Sequence, residues 1–323
     1  MNCPVCFSPA TAPQPFVGSD SLFATTQRTF GFSACTRCKT LFIDPAPLAE
    51  ELASFYPSRY WWNSSTDRLG KLEGIYRRIA LRDHLAFVIE ASQMLADDRE
   101  PIRLLDVGCG GATLLGILRK HGFDVLGFDA SPEAATIANA DHGVEVVTGT
   151  RLQDANFSTA AFDVVTLFHV MEHVPDPHAL LAEVRRILDA NGRLVLQVPN
   201  IESWQFRLLG CRWYGLDVPR HVINYSYQSM QQLLSDSGFR VRRVRHFNLR
   251  DNAPALASSV FPSLDPLGRR VRSARSCRKE SGLLVWAHHV LYLTAVAAAF
   301  PFAMAESLAG FGATVMIEAE KVL

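Results

Sequence analysis

The stretch LLDVGCGGAT, residues 104–113, constrains this chain more than any other part of it. An apolar run stops at an acid, three glycines follow within four residues, and an apolar-periodic run opens at Thr113. That pattern is a strand, a tight turn and a helix. Gly108 and Gly110 let the backbone turn sharply and approach a ligand closely, and the helix that follows presents N–H groups with no partner inside it. Such a unit is stable only within a sheet covered on both faces, and the rest of the chain supplies one. Near-continuous apolar strands are expected at 102–107, 124–129, 145–148, 162–169, 193–199, 239–247 and 314–319, with helices at 113–121, 132–142, 177–188 and 227–237. The alternation predicts an α/β fold, a doubly wound seven-stranded sheet.

A second pattern precedes it. Four of the seven cysteines fall in the first 38 residues as two C-x2-C pairs, Cys3/Cys6 and Cys35/Cys38, with 28 residues between the pairs. Each pair aims two thiolates at one point, and two pairs complete the sulfur tetrahedron that zinc prefers; all-thiolate ligation marks a structural Zn2+. Short strands at 29–34 and 40–43 suit a zinc ribbon. The competing reading is four unrelated thiols or a redox pair. The expected division is a ribbon at 1–45, a helical linker at 46–100, and the sheet domain at 101–323. Within the linker a short helix is expected at 48–56, and Leu69, Leu72, Ile75, Tyr76 and Ile79 predict an amphipathic helix toward Leu95. Tyr60, Trp61 and Trp62 are expected to pack between ribbon and main domain.

Composition bounds the function. With 48% hydrophobic residues the chain is well cored, and 32 Lys plus Arg against 32 Asp plus Glu give no global pull toward nucleic acid. The start, MNCPVCFSPA, lacks a basic segment followed by an apolar one, which predicts a cytoplasmic chain in a reducing compartment.

The electrostatics of the glycine turn then narrow the ligand. Thr113 stands where the dinucleotide fingerprint has its third glycine, and Asp106 lies two residues before Gly108. A carboxylate there repels a pyrophosphate and attracts an ammonium beside a sulfonium. Asp129, 19 residues beyond Gly110, ends the next strand at the position from which a carboxylate takes both hydroxyls of a ribose. At these residues the sequence resembles the class I S-adenosylmethionine-dependent methyltransferases. The resemblance covers roughly residues 101–248 and the closing strand, and implies a Rossmann-like fold that binds S-adenosyl-L-methionine. It implies that Asp106, Gly108, Cys109 and Gly110 hold the methionine part, and that Asp129 with Ala130 holds the ribose. The segment VVTGTRLQD borders adenine; many relatives carry an acid after its glycine, whereas here Thr150, Arg151 or Leu152 would serve through backbone. Phe168, at the end of the fourth strand, would lie beneath the methyl group.

The run FDVVTLFHVMEHVPDP, 162–177, is similar to the small-molecule branch that includes ubiquinone-biosynthesis-type O-methyltransferases. The whole layout also resembles relatives with an N-terminal zinc ribbon, many of which serve saccharide and cell-envelope pathways. Methyl transfer is a displacement at carbon, and a base is needed only for a protonated acceptor. His169, Glu172 and His173 follow the fourth strand, and His221 lies in an insertion at 200–227 placed over the carboxyl ends of the strands. All four are candidate catalytic residues, and Trp213, Tyr214 and Arg220 are candidates to line the acceptor site. The plainer alternatives are that Glu172 and His173 cap the turn into Val174 and Pro175, that His221 is buried against backbone, and that Ser226 is a helix cap.

An elaboration at 250–312 precedes the last strand. Residues 269–279 carry six positive charges and no negative one, and 281–305 contain no charged side chain apart from two histidines. Three readings are open: a helical cap on the domain, a helix in a membrane interface, and a contact between copies. A spanning helix is disfavoured, because strand 314–319 must return to the sheet. The expected function is methyl transfer to a small-molecule or saccharide-like acceptor, O-methylation foremost, in a cytoplasmic enzyme with peripheral contact at the inner membrane surface through 269–305. The alternatives are an RNA methyltransferase, disfavoured because the ribbon has only Arg28, Arg37 and Lys39 as cations, and a non-catalytic cofactor-binding module. Oligomeric state is not legible in the sequence.

Overall fold

The computed structural model describes residues 2–57, 79–93, 95, 101–276 and 282–322. In chain order its strands are β1 (Thr11–Ser19), β2 (Thr29–Cys35), β3 (Leu41–Ile43), β4 (Arg103–Val107), β5 (Asp124–Asp129), β6 (Val146–Thr148), β7 (Phe162–Phe168), β8 (Leu188–Pro199), β9 (Ile223–Asn224), β10 (Phe239–Arg245) and β11 (Thr314–Lys321). Its helices are α1 (Ala49–Leu52), α2 (Arg82–Ser92), α3 (Thr113–Lys120), α4 (Pro132–His142), α5 (Pro177–Ile187), α6 (Trp204–Leu209), α7 (Tyr227–Asp236), α8 (Asn252–Val260), α9 (Pro266–Ser276) and α10 (Gly282–Leu308). The expected packing of Tyr60, Trp61 and Trp62, and the linker positions Leu69, Leu72, Ile75 and Tyr76, lie outside the described residues.

The chain divides into two compact units, one from Met1–Tyr60, Pro199–Ser229 and Arg250–Val315, the other from Trp61–Val198, Met230–Leu249 and Met316–Leu323. The second unit is built on the expected sheet, seven-stranded among the described residues, in the order β10-β11-β8-β7-β4-β5-β6. β4 pairs in parallel with both β5 and β7, β5 with β6, and β7 with β8, while β10 runs antiparallel to β11. Strand order reverses between β4 and β7, and that switch point is where open α/β sheets bind ligands. Leu104, Val164 and Val195 from the strands, Leu115 and Leu118 from α3, and Phe87 and Val88 from α2 form one buried core. Burial from both sides explains why these strands lack a polar face. β8 begins at Leu188, earlier than the expected 193, because α5 ends at Ile187 and Leu188 already pairs with Phe162.

The first unit is not the ribbon alone. Its sheet runs β1-β2-β3-β9, so a strand from the 200–227 insertion extends the ribbon. Leu41 pairs with Asn224 and Phe42 with Ile223. Phe30, Phe32, Leu41 and Ile43 of the ribbon share a core with Trp213, Leu216 and Val218 of the insertion. β1 was not expected, since Pro13 and Pro15 lower strand propensity; an edge strand tolerates them because its outer N–H groups need no partner. Ser226 caps α7 as expected, its Oγ accepting from Ser229 N at 3.0 Å.

In the same unit α10 is fastened along one narrow stripe. Tyr292, Ala299, Ala303 and Glu306 are buried at spacings of one helix face. Tyr292 meets Ser258 of α8 at 3.3 Å, Asn252 donates to Ser307 at 3.1 Å, and Gln205 donates to Glu306 at 2.5 Å. Burial pushes the Glu306 carboxyl up to about 7 from an ordinary 4.5, against the hydrogen bonds from Gln205. A carboxyl raised on folding binds its proton more tightly in the native state, so it withdraws stability as pH rises from about 4.5 to 7. Glu306→Gln should flatten that slope and stabilise the protein at pH ~8 by about 2 kcal/mol, read from urea unfolding across pH.

Candidate active site

The sheet unit holds the cofactor candidates. After β4 the backbone enters the left-handed region at Gly108 (φ 73°), Gly110 (φ 53°) and Ala112 (φ 54°). A Cβ on Gly108 would stand 2.6 Å from Val170 Cγ2, so the first glycine is needed for space as well as conformation. α3 opens at Ala112 with no side-chain cap, leaving its first turn to backbone and ligand.

Two buried acids flank this turn. The Asp129 side chain accepts from Gly110 N at 2.9 Å through one oxygen and from Ser131 N at 2.8 Å through the other, tying the turn to the end of β5. Burial pushes the Asp129 carboxyl above its ordinary range, while the N–H groups of Ser131, Gly110 and Ala130 act in the opposite direction. Asp106 accepts from Thr166 Oγ1 of β7 at 2.6 Å. Burial, and then the charges of Asp106 and Asp129, push the Cys109 thiol up, so it stays neutral. Gly127 of β5 makes room for the Cys109 sulfur: a Cβ there would meet Sγ at 2.6 Å. Cys109 therefore contributes backbone to the turn and packs its side chain against β5.

Ala130, Thr150 and Arg151 are exposed, and Leu152 is buried. Gly149 N bonds the Asp129 carbonyl at 3.0 Å, which draws the segment after β6 to the end of β5. Phe168 closes β7, its ring edge-on to His84 at 4.9 Å between centroids. A left-handed glycine turn between two buried acids, beside an uncapped helix start, fits a cationic, hydroxyl-bearing ligand such as S-adenosylmethionine.

Of the candidate bases, the structure brings His169 and Glu172 together. His169 sits at φ 58°, its Nδ1 3.1 Å from Glu172 Oε1 and its Nε2 2.7 Å from Gln197 Nε2. An amide nitrogen only donates, so Nε2 accepts and Nδ1 carries the proton donated to the carboxylate. Glu172 is wholly buried, and its carboxylate accepts from His169. His173 is half-buried in the same short turn, Met171–His173. Gln197 escaped the sequence reading, although an amide inside the apolar run LVLQVP was a signal for a buried hydrogen-bonding role.

His221 belongs to the other unit and is nearly buried. Its Nδ1 donates to the Gly215 carbonyl at 2.8 Å, and its Nε2 lies 4.0 Å from Asp217. Two acceptor-lining expectations need correction there. The Arg220 guanidinium is fully buried and consumed by Asp20, Asp217 and the Phe55 carbonyl. Trp213 is 2% exposed and packs in the ribbon core. Arginine and tryptophan in a loop suggested a binding surface, but here they supply an ion pair and core volume.

The four cysteines meet as their spacing predicts. All four sulfurs lie within 4.8 Å of one another, Cys3 to Cys38 and Cys6 to Cys35 at 3.5 Å each. Tetrahedral zinc–thiolate bonds of ~2.3 Å set sulfurs ~3.8 Å apart, so the cluster fits the ion. Val5 N points at Cys3 Sγ and Cys38 N at Cys35 Sγ, at 3.4 and 3.5 Å, as donors to thiolates would.

Residues 76–244 match a family model described as a methyltransferase domain. The ubiquinone biosynthesis O-methyltransferase of Aliivibrio fischeri is 32% identical over 238 residues, 68% of this chain and 94% of that protein. Its counterpart from Pectobacterium atrosepticum is 27% identical over 226 residues, 65% of this chain and 89% of that protein. Among solved structures, a SAM-dependent methyltransferase from Archaeoglobus fulgidus superposes with a TM-score of 0.46 at 17% identity, covering 79% of this chain and 100% of that one. With a family match over more than half the chain, and a sheet that turns at a glycine loop between two buried acids, the chain belongs to the class I S-adenosylmethionine-dependent methyltransferases.

Proposed function

We propose that this enzyme methylates an oxygen of a small, saccharide-like acceptor, carried on a lipid of the cell envelope, from a peripheral position at the inner membrane surface. The observation that carries the cofactor side of this reading is the pair of buried acids about the 108–110 turn. Bound S-adenosylmethionine supplies an electrophilic methyl group. Asp106, Gly108, Gly110 and the Cys109 backbone would hold its methionine part, Asp129 with Ala130 its ribose, and Thr150, Arg151 and Leu152 its adenine. Phe168 would form the floor beneath the transferred group.

The acceptor hydroxyl gives its lone pair to the methyl carbon as the sulfur–carbon bond breaks, and its proton passes to a base. His173 and His221 are the bases this reading favours. Both ring nitrogens of His169 are engaged by Glu172 and Gln197, which makes His169 and Glu172 positioning residues in this reading, while the Gly215 carbonyl fixes the ring of His221 through Nδ1. Loss of a general base costs ~100- to 10,000-fold in rate. Likeness to ubiquinone biosynthesis O-methyltransferases supports oxygen as the acceptor atom.

Calorimetry tests the cofactor side. Asp129→Ala should weaken S-adenosylmethionine binding by about 1–3 kcal/mol, roughly 5- to 150-fold, with the fold intact by circular dichroism. A wild-type protein that fails to bind S-adenosylmethionine at millimolar concentration would overturn the reading.

A further inference from the structure

We propose that α10, together with the basic helix α9, is an in-plane anchor that seats this enzyme on an anionic bilayer. The proposal builds on the lipid-linked reading of the acceptor, yet vesicle binding is measured without turnover, so either can fail alone.

Leu284–Leu308 is long and apolar enough to cross a membrane, but only 22% of its most apolar window is buried. The core helix of a soluble protein is covered all round; this one is covered along the Tyr292, Ala299, Ala303 and Glu306 stripe. On the uncovered side stand Leu284, Trp286, Leu291, Leu293, Phe300 and Leu308, each between 38% and 83% exposed. Soluble monomers rarely leave so long an apolar face in water. The polar groups along it are turned inward: His288 and His289 each direct Nδ1 to the carbonyl four residues earlier, at 2.8 Å, and Thr294 does the same through Oγ1.

Charge selects the occupant. α9 carries Arg269, Arg270, Arg272 and Arg275 with no acid, and the sequence between α9 and α10 adds Arg278 and Lys279 against the single acid Glu280. A run of cations just before an apolar helix in the sequence matches an anionic lipid surface, each adding attraction near the headgroups. A second copy would bring the same cations, and like charges repel. Trp286 near the start of α10 suits the headgroup boundary, where an indole buries its ring and keeps its N–H wet.

The anchor lies flat rather than spanning. α10 is tied at its middle by Tyr292 to Ser258 and near its end by Ser307 to Asn252 and Glu306 to Gln205. A helix pinned to folded polar elements at both places cannot leave them for the bilayer interior, and β11 starts at Thr314. It can, however, press its uncovered face into the headgroup layer.

The test is co-flotation of full-length, zinc-loaded protein with vesicles of phosphatidylcholine alone and of phosphatidylcholine mixed with phosphatidylglycerol. Binding is expected to the anionic vesicles, with a blue-shifted tryptophan emission that Trp286→Phe removes in large part. It should fall at least tenfold in Arg269→Glu/Arg270→Glu, since each basic residue contributes about fivefold. It should disappear in Trp286→Glu/Leu291→Glu/Leu293→Glu, which replaces exposed positions and should retain helicity and S-adenosylmethionine binding. Failure of the wild type to float with either vesicle would overturn the proposal. So would a triple variant that floats like the wild type. A concentration-dependent dimer that the triple variant abolishes, without vesicle binding, would assign the face to a second copy.

Discussion

Stripping the metal from the four-cysteine site should unfold the 200–227 insertion along with the ribbon, while S-adenosylmethionine still binds. Structural zinc contributes roughly 10–16 kcal/mol of apparent binding free energy to small folds that depend on it, far more than any single side chain. In this chain that energy is not confined to residues 1–45. β9 of the insertion is the fourth strand of the ribbon sheet, Ile43 N bonds the Val222 carbonyl at 3.0 Å, and Ser226 Oγ reaches the carbonyl of the ligand Cys38 at 3.5 Å. Trp213 lies in the ribbon core. Chelation, or Cys35→Ser/Cys38→Ser, should therefore red-shift Trp213 emission and raise amide exchange across 211–226 as well as 29–43. The glycine turn, Asp106 and Asp129 sit in the sheet unit with its own buried core, so calorimetry should find cofactor affinity within a few-fold of wild type. Exchange confined to residues 2–45, with 211–226 fully protected, would show that the ribbon is an independent module.

The same contrast explains what could be read in advance. The β4–α3 turn is encoded locally: glycines that accept positive φ, an acid before them and an apolar-periodic helix after them are all visible within ten residues. The cysteine cluster is nearly as local, because each C-x2-C pair builds half the tetrahedron before the chain folds back. β9 is invisible by comparison, since two residues carry no periodicity and their pairing with β3 is decided 180 residues away. Gln197 escaped for a related reason: it sits in the buried second half of β8, and nothing near it in sequence reveals that His169 will need an amide donor. In the tail, apolarity was legible but coverage was not, because which stripe of α10 is buried depends on α8 and Gln205 rather than on α10 itself.

Arg220 is the sharpest case of a role hidden by chain separation, and its removal should be the most damaging single substitution in the ribbon unit outside the four cysteines. Its guanidinium lies 2.9 Å from Asp20, 200 residues earlier, and 2.6 Å from Asp217, and it donates to the Phe55 carbonyl at 2.9 Å. It also stacks over Phe23 at 4.5 Å from the ring centroid. Burial alone would raise the Asp20 carboxyl, but Arg220 and Thr25 hold it below its ordinary 3.8. Burial likewise opposes the charge on Arg220, and the two carboxylates more than offset it. Arg220→Ala leaves Asp20 buried and unpaired, which costs ~3–5 kcal/mol in comparable sites. Arg220→Lys should recover little of this, because an ammonium cannot satisfy two carboxylates and a carbonyl in the plane of the guanidinium fork. Asp20→Asn/Arg220→Met, which removes the fully buried Asp20–Arg220 pair and leaves only the more exposed Asp217, should instead lie closer to wild type than Arg220→Ala alone. Urea unfolding followed at Trp213 reads these differences, and the wild-type network adds its own signature. A carboxyl lowered on folding stabilises above its unfolded pKa and loses that contribution as pH falls through the folded value, so the advantage of wild type over the double variant should shrink below pH ~4. An Arg220→Ala protein within ~1 kcal/mol of wild type would mean that the buried ion pairs are not what fastens the insertion to the ribbon.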